Sequence, residues 1–276
     1  MAELTAHAPL TESFARDGYA ILPGVLDRET VAGLRELCGR LLTGEGKQEM
    51  LPRTFLATPE LTDVLLRDEI TAALTRVLGP RVAFYPNLTI RKSLYIGWHI
   101  DEAFAGPGKE YVWDPGFAHL QGAIYLQDND ERTGGGIDVL PGSHLASIDG
   151  YGRARPDFDS ALANPPGGRP PVRVDSKAGD LVLWHARLMH ASTPAAGPED
   201  GDAPTKLGLF FSAGRHDAYE NNRFLSHLTA KRVQVEDGKQ VFYERHGQVL
   251  DIRYPESYPH QVRQRAADAG VTFASF

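Results

Sequence analysis

Three side chains stand out for the chemistry their types and spacing allow. His99 and Asp101 lie in Trp98-His99-Ile100-Asp101, and His190 follows far downstream. Of the ten histidines, only His99 has an acidic residue two positions on. On a β-strand, residues i and i+2 point to the same side, so this imidazole and carboxylate would share a face. With His190 they would form a two-histidine, one-carboxylate metal face with open positions opposite. That donor set suits ferrous iron and oxygen chemistry. The plainer alternative is a surface His–Asp pair at a strand end, with His190 packed in an apolar strand. The three residues alone do not choose between these.

The elements that must position them are legible around each motif. Residues 82–85, 88–95 and 121–126 are rich in β-branched and aromatic residues and read as strands. Gly134-Gly135-Gly136 and Pro141-Gly142-Ser143 bracket a short strand, 137–140. Strands follow at 172–174 and 180–185, then a short one from Leu188 that carries His190, then 207–212 after a polar loop. A late pair, 240–245 and 248–254, reads as a hairpin across His246-Gly247. Residues 103–119 and 151–171 lack a period and read as irregular loops. The front of the chain is different. Asp27 is placed to N-cap a helix to about Leu42, with Val31, Leu34, Cys38 and Leu41 as its buried stripe. Helices are expected at 59–66 and 68–78, the second closed by Gly79-Pro80. Short strands between turns, behind a helical front, predict a mostly β sandwich or barrel with flanking α-helices.

Composition removes whole classes of function. A formal charge of −7 and a pI near 5.8 argue against general nucleic-acid binding. Cys38 is the only cysteine, so intrachain disulfides and thiolate-rich metal sites are excluded. No apolar run reaches the roughly 18–20 residues of a membrane span, and the start lacks a signal-peptide layout. The expected setting is cytoplasmic, with no membrane partner. With no repeat or dividing linker, one domain over 1–276 is expected: 1–80 largely helical, 81–215 the β core, and 216–276 a C-terminal extension.

From about Phe14 to Ser212 the sequence resembles the phytanoyl-CoA dioxygenase-like family of iron(II)/2-oxoglutarate oxygenases. Residues 14–26 with the Asp27 helix look like the family's N-terminal signature, and Trp98–Asp101 like its His-x-Asp. Residues 121–128, then 134–144 ending in Pro141-Gly142-Ser143-His144, are similar to its strand, glycine-rich turn and PGSH segment. Residues 179–192 are similar to the strand pair bearing the distal histidine. The resemblance implies a double-stranded β-helix (a cupin-like jelly roll) with helices on one sheet. It implies Fe(II), 2-oxoglutarate and O2 as cofactors, and His99, Asp101 and His190 as the metal ligands, with no other catalytic residue. It also implies oxidative decarboxylation of 2-oxoglutarate to succinate and CO2, coupled to oxidation of a small molecule. Related halogenases carry a small residue where Asp101 stands, so its carboxylate favours hydroxylation or another oxidation over halogenation.

The far carboxylate of 2-oxoglutarate needs a cation, and here the chain departs from the family, which has an arginine opening the strand after the distal histidine. Lys206 stands in that role as a point charge without arginine's fork. Arg215, Arg91 and Lys92 are rivals, each with an ordinary exposed base as its alternative. Ser192 matches a family position that hydrogen-bonds the same carboxylate, and Gln121 is either a pocket contact or a strand-exterior residue. Phe104, Tyr111 and Trp113, in the loop after the iron motif, are candidate substrate walls. His144 reads as structural, and His185 is left open. Two other readings stay in play: a cupin-type metal dioxygenase without 2-oxoglutarate, and a non-catalytic jelly-roll binding protein. The substrate's identity and the oligomeric state are not encoded in any motif.

Overall fold

The computed structural model describes residues 10–43, 48–50, 52–85, 87–100, 110–114, 116–145, 158–193, 205–217, 235–236, 239–240, 243–245, 248–250 and 258–274. Its front is helical, with one strand. Helix α1 (Leu10–Asp17) runs into β1 (Tyr19–Leu22), and α2 (Arg28–Leu41) follows. Asp27 caps α2 as its position suggested, accepting from the Thr30 N–H at 2.8 Å, a contact worth about 1 kcal/mol. Val31, Leu34 and Cys38 are buried along it, and burial pushes the Cys38 thiol up to about 11. A short helix, α3 (Pro52–Leu56), which the sequence reading missed, precedes α4 (Pro59–Leu65) and α5 (Asp68–Leu78). Gly79, at φ 87, ends α5 in a conformation that costs glycine little.

Two sheets make the rest. The strands are β2 (Val82–Phe84), β3 (Thr89–Lys92), β4 (His119–Tyr125), β5 (Ile137–Val139), β6 (Val172–Val174), β7 (Leu181–His185), β8 (His190–Ser192) and β9 (Leu207–Arg215). A two-residue β14 (Thr272–Phe273) comes last, after β10 (Val235–Glu236), β11 (Lys239–Gln240), β12 (Tyr243–Arg245) and β13 (Gln248–Leu250). The large sheet has the order β1-β7-β4-β9-β2-β14, with β3 also on β9. The small sheet is β6-β5-β8. Strands 12 and 13 form the expected hairpin, with Tyr243 opposite Leu250.

Alternation along the large sheet assigns its two faces. Leu120, Ile124, Leu181, Leu183, Leu207, Leu209 and Phe211 join the core made with the helices. Ala123, Tyr125, Val182 and Trp184 instead meet Ile137, Val139 and Val174 of the small sheet. One face therefore carries the helical layer and the other lines the space between the sheets, as a jelly roll with flanking helices requires.

Three expectations need correction. Residues 151–171 were expected to be irregular, yet helix α6 (Phe158–Ala163) and a 3-10 turn, Pro166–Gly168, lie within them. The second expected loop, 103–119, contains a 3-10 turn at Glu110–Trp113, and His119 already opens β4. The last strand of the core runs on to Arg215 instead of stopping at 212, because each residue to Arg215 finds a partner in β2. The C-terminal segment also returns to the core. Helix α7 (His260–Asp268) packs Val262 and Ala266 into it, and β14 pairs parallel with β2. Among the described residues no helix is long and apolar enough to cross a membrane.

Gly122, in the middle of β4, is where the helical face is tightest. A Cβ there would lie 2.2 Å from Phe211 Cζ, a fully buried ring that itself meets the edge of Phe84. Gly122→Ala is expected to cost about 1–3 kcal/mol, as overpacking does, measured as a lowered denaturation midpoint with an unchanged slope.

Candidate metal centre

His99 and His190 meet through the backbone before they meet through their rings. The His99 N–H donates to the His190 carbonyl at 2.9 Å, and the His190 N–H returns the bond at 3.0 Å. This reciprocal antiparallel pair sets both side chains on one side of the ribbon. Their ring centroids are 4.2 Å apart, tilted by 50°. Each ring is then fixed by the carbonyl two residues before it. His99 Nδ1 donates to Gly97 O at 2.7 Å, and His190 Nδ1 donates to Leu188 O at 2.9 Å. A carbonyl only accepts, so each Nδ1 carries the proton and each Nε2 presents its lone pair. Two imidazoles side by side, in the tautomer that ligation requires, fit a metal ion. Asp101 lies outside the described residues, and among those described no three metal-binding side chains converge.

The inner face of the large sheet opposes this pair. Trp184, a residue the sequence reading passed over, brings its ring to 5.5 Å from that of His190. Its indole N–H is buried with no hydrogen-bond partner among the described residues. Only the period-two alternation of β7 could have revealed it, since Trp184 and not His185 faces inward. His185 turns instead to Phe14 and His144, and burial holds it far below an ordinary imidazole range. Gln121, across from Trp184 in the β4–β7 register, is on the inner face, where its Oε1 accepts from Ser212 Oγ at 2.7 Å. Asn87 Nδ2 donates to the same Ser212 Oγ at 3.1 Å.

The other candidate anchors sit differently, and Lys92 only ends β3, with no side-chain contact that singles it out among the described residues. Ser192 Oγ accepts from the Ile96 N–H at 3.1 Å, which leaves its own proton to donate. Lys206 is 5 % exposed. Its Nζ donates to Leu94 O at 3.3 Å and lies 4.6 Å from the centre of the Tyr95 ring. No carboxylate pairs with it among the described residues, and burial together with the Arg91 charge pushes its ammonium down to about 7. Leu94, Tyr95 and Ile96 belong to the segment that carries His99, so Lys206 and the histidine pair are joined by one stretch of chain. Arg91 is engaged already, ion-paired with Glu49 at 2.8 Å with its guanidinium over Phe210. Arg215 ends β9, eight residues from Leu207, or about 26 Å at strand rise. There it is half-exposed and paired with Asp217 at 3.2 Å, which argues against it.

Of the substrate-wall candidates, Phe104 lies outside the described residues. Trp113 packs on the cluster of Ile100, Leu140 and Met189, on the face of the ribbon opposite the two histidine rings. Arg187 holds this turn, donating to Val112 O at 3.2 Å with its guanidinium over Trp113. Tyr111 sits one cluster away with Tyr85, Val112 and Phe117. His119 lies between the Tyr85 and Phe117 rings, and burial pushes it down to about 3, so it is neutral.

Residues 14–199 match the model of the family described as phytanoyl-CoA dioxygenase (PhyH). The chain belongs to this family. It is thereby an iron(II)- and 2-oxoglutarate-dependent oxygenase that uses O2. The ectoine dioxygenase of Stutzerimonas stutzeri (strain A1501) is 27% identical over 233 residues, spanning 68% of this chain and 73% of that protein. The ectoine dioxygenase of Bordetella bronchiseptica is 24% identical over 225 residues, or 69% and 71%. Among solved structures, EctD from S. alaskensis with 2-oxoglutarate and 5-hydroxyectoine aligns with a TM-score of 0.56 at 20% identity, covering 78% of this chain and 79% of that one. The non-heme alpha ketoglutarate dependent epimerase SnoN from nogalamycin biosynthesis aligns at 0.54 and 24% identity, covering 75% and 79%. These likenesses show the jelly-roll fold.

Lys206 also makes a measurable claim about stability. Its folded-state value near 7 lies below the ordinary 10.5, so between those pH values the unfolded chain binds more protons and stability rises with pH. The penalty for burying the charge is whole below pH 7 and fades toward pH 10. Lys206→Met in the metal-free protein is therefore expected to raise the melting temperature at pH 6, with the gain shrinking as pH rises. A gain independent of pH would mean that Lys206 is not desolvated.

Proposed function

We propose that the chain hydroxylates a small organic molecule, with iron(II) held by His99, Asp101 and His190 and 2-oxoglutarate anchored by Lys206 and Ser192. The observation that carries this is the reciprocal His99–His190 backbone pair with both Nδ1 protons committed to carbonyls. Asp101 enters by sequence, two residues after His99 and matching the family's His-x-Asp. Bound iron(II) would supply the redox chemistry by which 2-oxoglutarate and O2 become succinate and CO2 while one oxygen atom enters a substrate C–H bond.

The protein's own residues bind, orient and exclude water. Lys206 is a buried cation with no carboxylate partner among the described residues, so an arriving carboxylate meets a charge that has already been stripped of water. Ser192 has a proton to donate to the same group. Trp184 supplies an indole N–H on the opposite wall, and Gln121 stands across from it in the register. Trp113, braced by Arg187, packs on Ile100, Leu140 and Met189, the side chains that alternate with the two histidines, and so backs the ribbon that carries them. The acidic overall charge favours a small molecule over a nucleic acid. The relatives named ectoine dioxygenase make ectoine the first compound to assay.

His99→Ala and His190→Ala are expected to abolish succinate formation while leaving the circular dichroism spectrum unchanged. Wild-type turnover in either would remove that residue from the metal. Lys206→Ala is expected to raise the 2-oxoglutarate KM at least tenfold with little change in iron affinity. In the wild type, 2-oxoglutarate affinity should be flat below pH 7 and weaken above it, as the ammonium is lost. An unchanged KM in the variant, measured at pH 6.5, would move the anchor to another residue.

A further inference from the structure

The peptide group between Leu188 and Met189 is bonded at both ends. Its carbonyl, Leu188 O, accepts the Nδ1 proton of His190 at 2.9 Å. Its N–H, on Met189, donates to the side chain of Ser143 at 2.9 Å. Ser143 is fully buried and belongs to the Pro141-Gly142-Ser143-His144 turn, 46 residues from Met189 in sequence. We infer that Ser143 is a positioning residue for the metal centre. It sets the plane and polarity of the single peptide that fixes the tautomer and orientation of His190.

The rest of the turn is built to hold that hydroxyl still. The Ser143 N–H donates to Leu140 O at 3.1 Å, and the Leu140 N–H donates to Met189 O at 2.9 Å, so residue 189 is gripped on both of its backbone groups. On its other side the turn is docked to the α1–β1 corner. The Gly142 N–H donates to Asp17 O at 3.0 Å, and His144 Nε2 donates to Ala15 O at 3.2 Å. Burial pushes His144 down to about 4, which keeps it neutral and in this tautomer at ordinary pH. Gly142, at φ 82, turns the chain where a Cβ would strike Arg169 Nη2 at 2.3 Å. A hydrogen bond donated by the N–H of an amide strengthens the one accepted by its carbonyl, so the bond to Ser143 Oγ makes Leu188 O a better acceptor. A better acceptor holds the Nδ1 proton more firmly and makes Nε2 a better donor to metal, the effect outer groups exert on ligating histidines. His99 has the matching Nδ1 bond to Gly97 O, but among the described residues no side chain bonds the Trp98 N–H of that peptide. The device acts on the distal histidine.

This inference rests on the reading of His190 as a ligand, and the two are separable by one set of measurements. Full-length protein is titrated with Co(II), followed by its visible absorption, and the His190 ring tautomer is read by NMR on protein carrying ¹⁵N-histidine. Ser143→Ala is expected to weaken Co(II) binding at least tenfold, the lower bound for such outer partners, and to lose the single Nδ1-protonated pattern of His190. Ser143→Cys, near in size but a weaker acceptor, should fall between the two, and it decides the question if Ser143→Ala does not fold. Leu34→Ala, a cavity in the helical layer chosen to match the loss of melting temperature, should leave both readouts unchanged. Wild-type affinity and tautomer in the Ser143 variants would overturn the inference, as would equal weakening by Leu34→Ala. His190→Ala that still binds Co(II) like the wild type would overturn the ligand reading itself.

Discussion

The centre depends on one pair of backbone hydrogen bonds, those exchanged by His99 and His190. Neither strand is long: β8 has three residues, and His99 sits in an isolated bridge outside any named strand. Such a pairing does not persist alone in water. It is held because each partner is tied elsewhere: β8 to β5 through Val139 and His190, and the His99 segment to Ser192 and Lys206. The jelly roll exists, in functional terms, to bring those two short ribbons into register. A one-residue slip would turn one imidazole to the opposite face.

Much of this was readable from residue order. The His-x-Asp pair, the distal histidine and the PGSH turn announce the family, and strand alternation predicts which side chains share a face. The Asp27 cap and the α2 stripe are local signals, and they appear where local physics puts them. What stayed hidden was set by partners distant in sequence. Nothing in Arg91 or Arg215 says that one is spent on Glu49 and the other on Asp217. Gln121 was open between two faces until the register of β4 decided it. Trp184 looks like any core aromatic until His190 is seen opposite. Helix α6 was masked by the proline- and glycine-rich residues that follow it. Asp101 and Phe104 belong to the sequence argument alone.

The inner face of the large sheet is also graded in polarity. Arg91, Gly208 and Tyr125 are opposite one another across three strands, with Lys206 beyond them. Asn87, Ser212 and Gln121 form a second polar row nearer Trp184. Between the rows lie Phe210 and Ala123. A space charged at one end, apolar in its middle and amide-lined at the other discriminates by length as well as by charge.

The large sheet begins and ends with strands from the two extremes of the described chain, β1 on one edge and β14 on the other. Both are short, four residues and two, which leaves little unpaired edge for another molecule to extend. The arrangement has a kinetic side. Every neighbour relation in this sheet links segments well separated in sequence, so folding is governed by slow loop closures, and the outermost is made only once the C-terminal strand has arrived. During synthesis the β2 edge stays open until β14 has emerged, and the His99–His190 pair is assembled on a scaffold that is still unfinished.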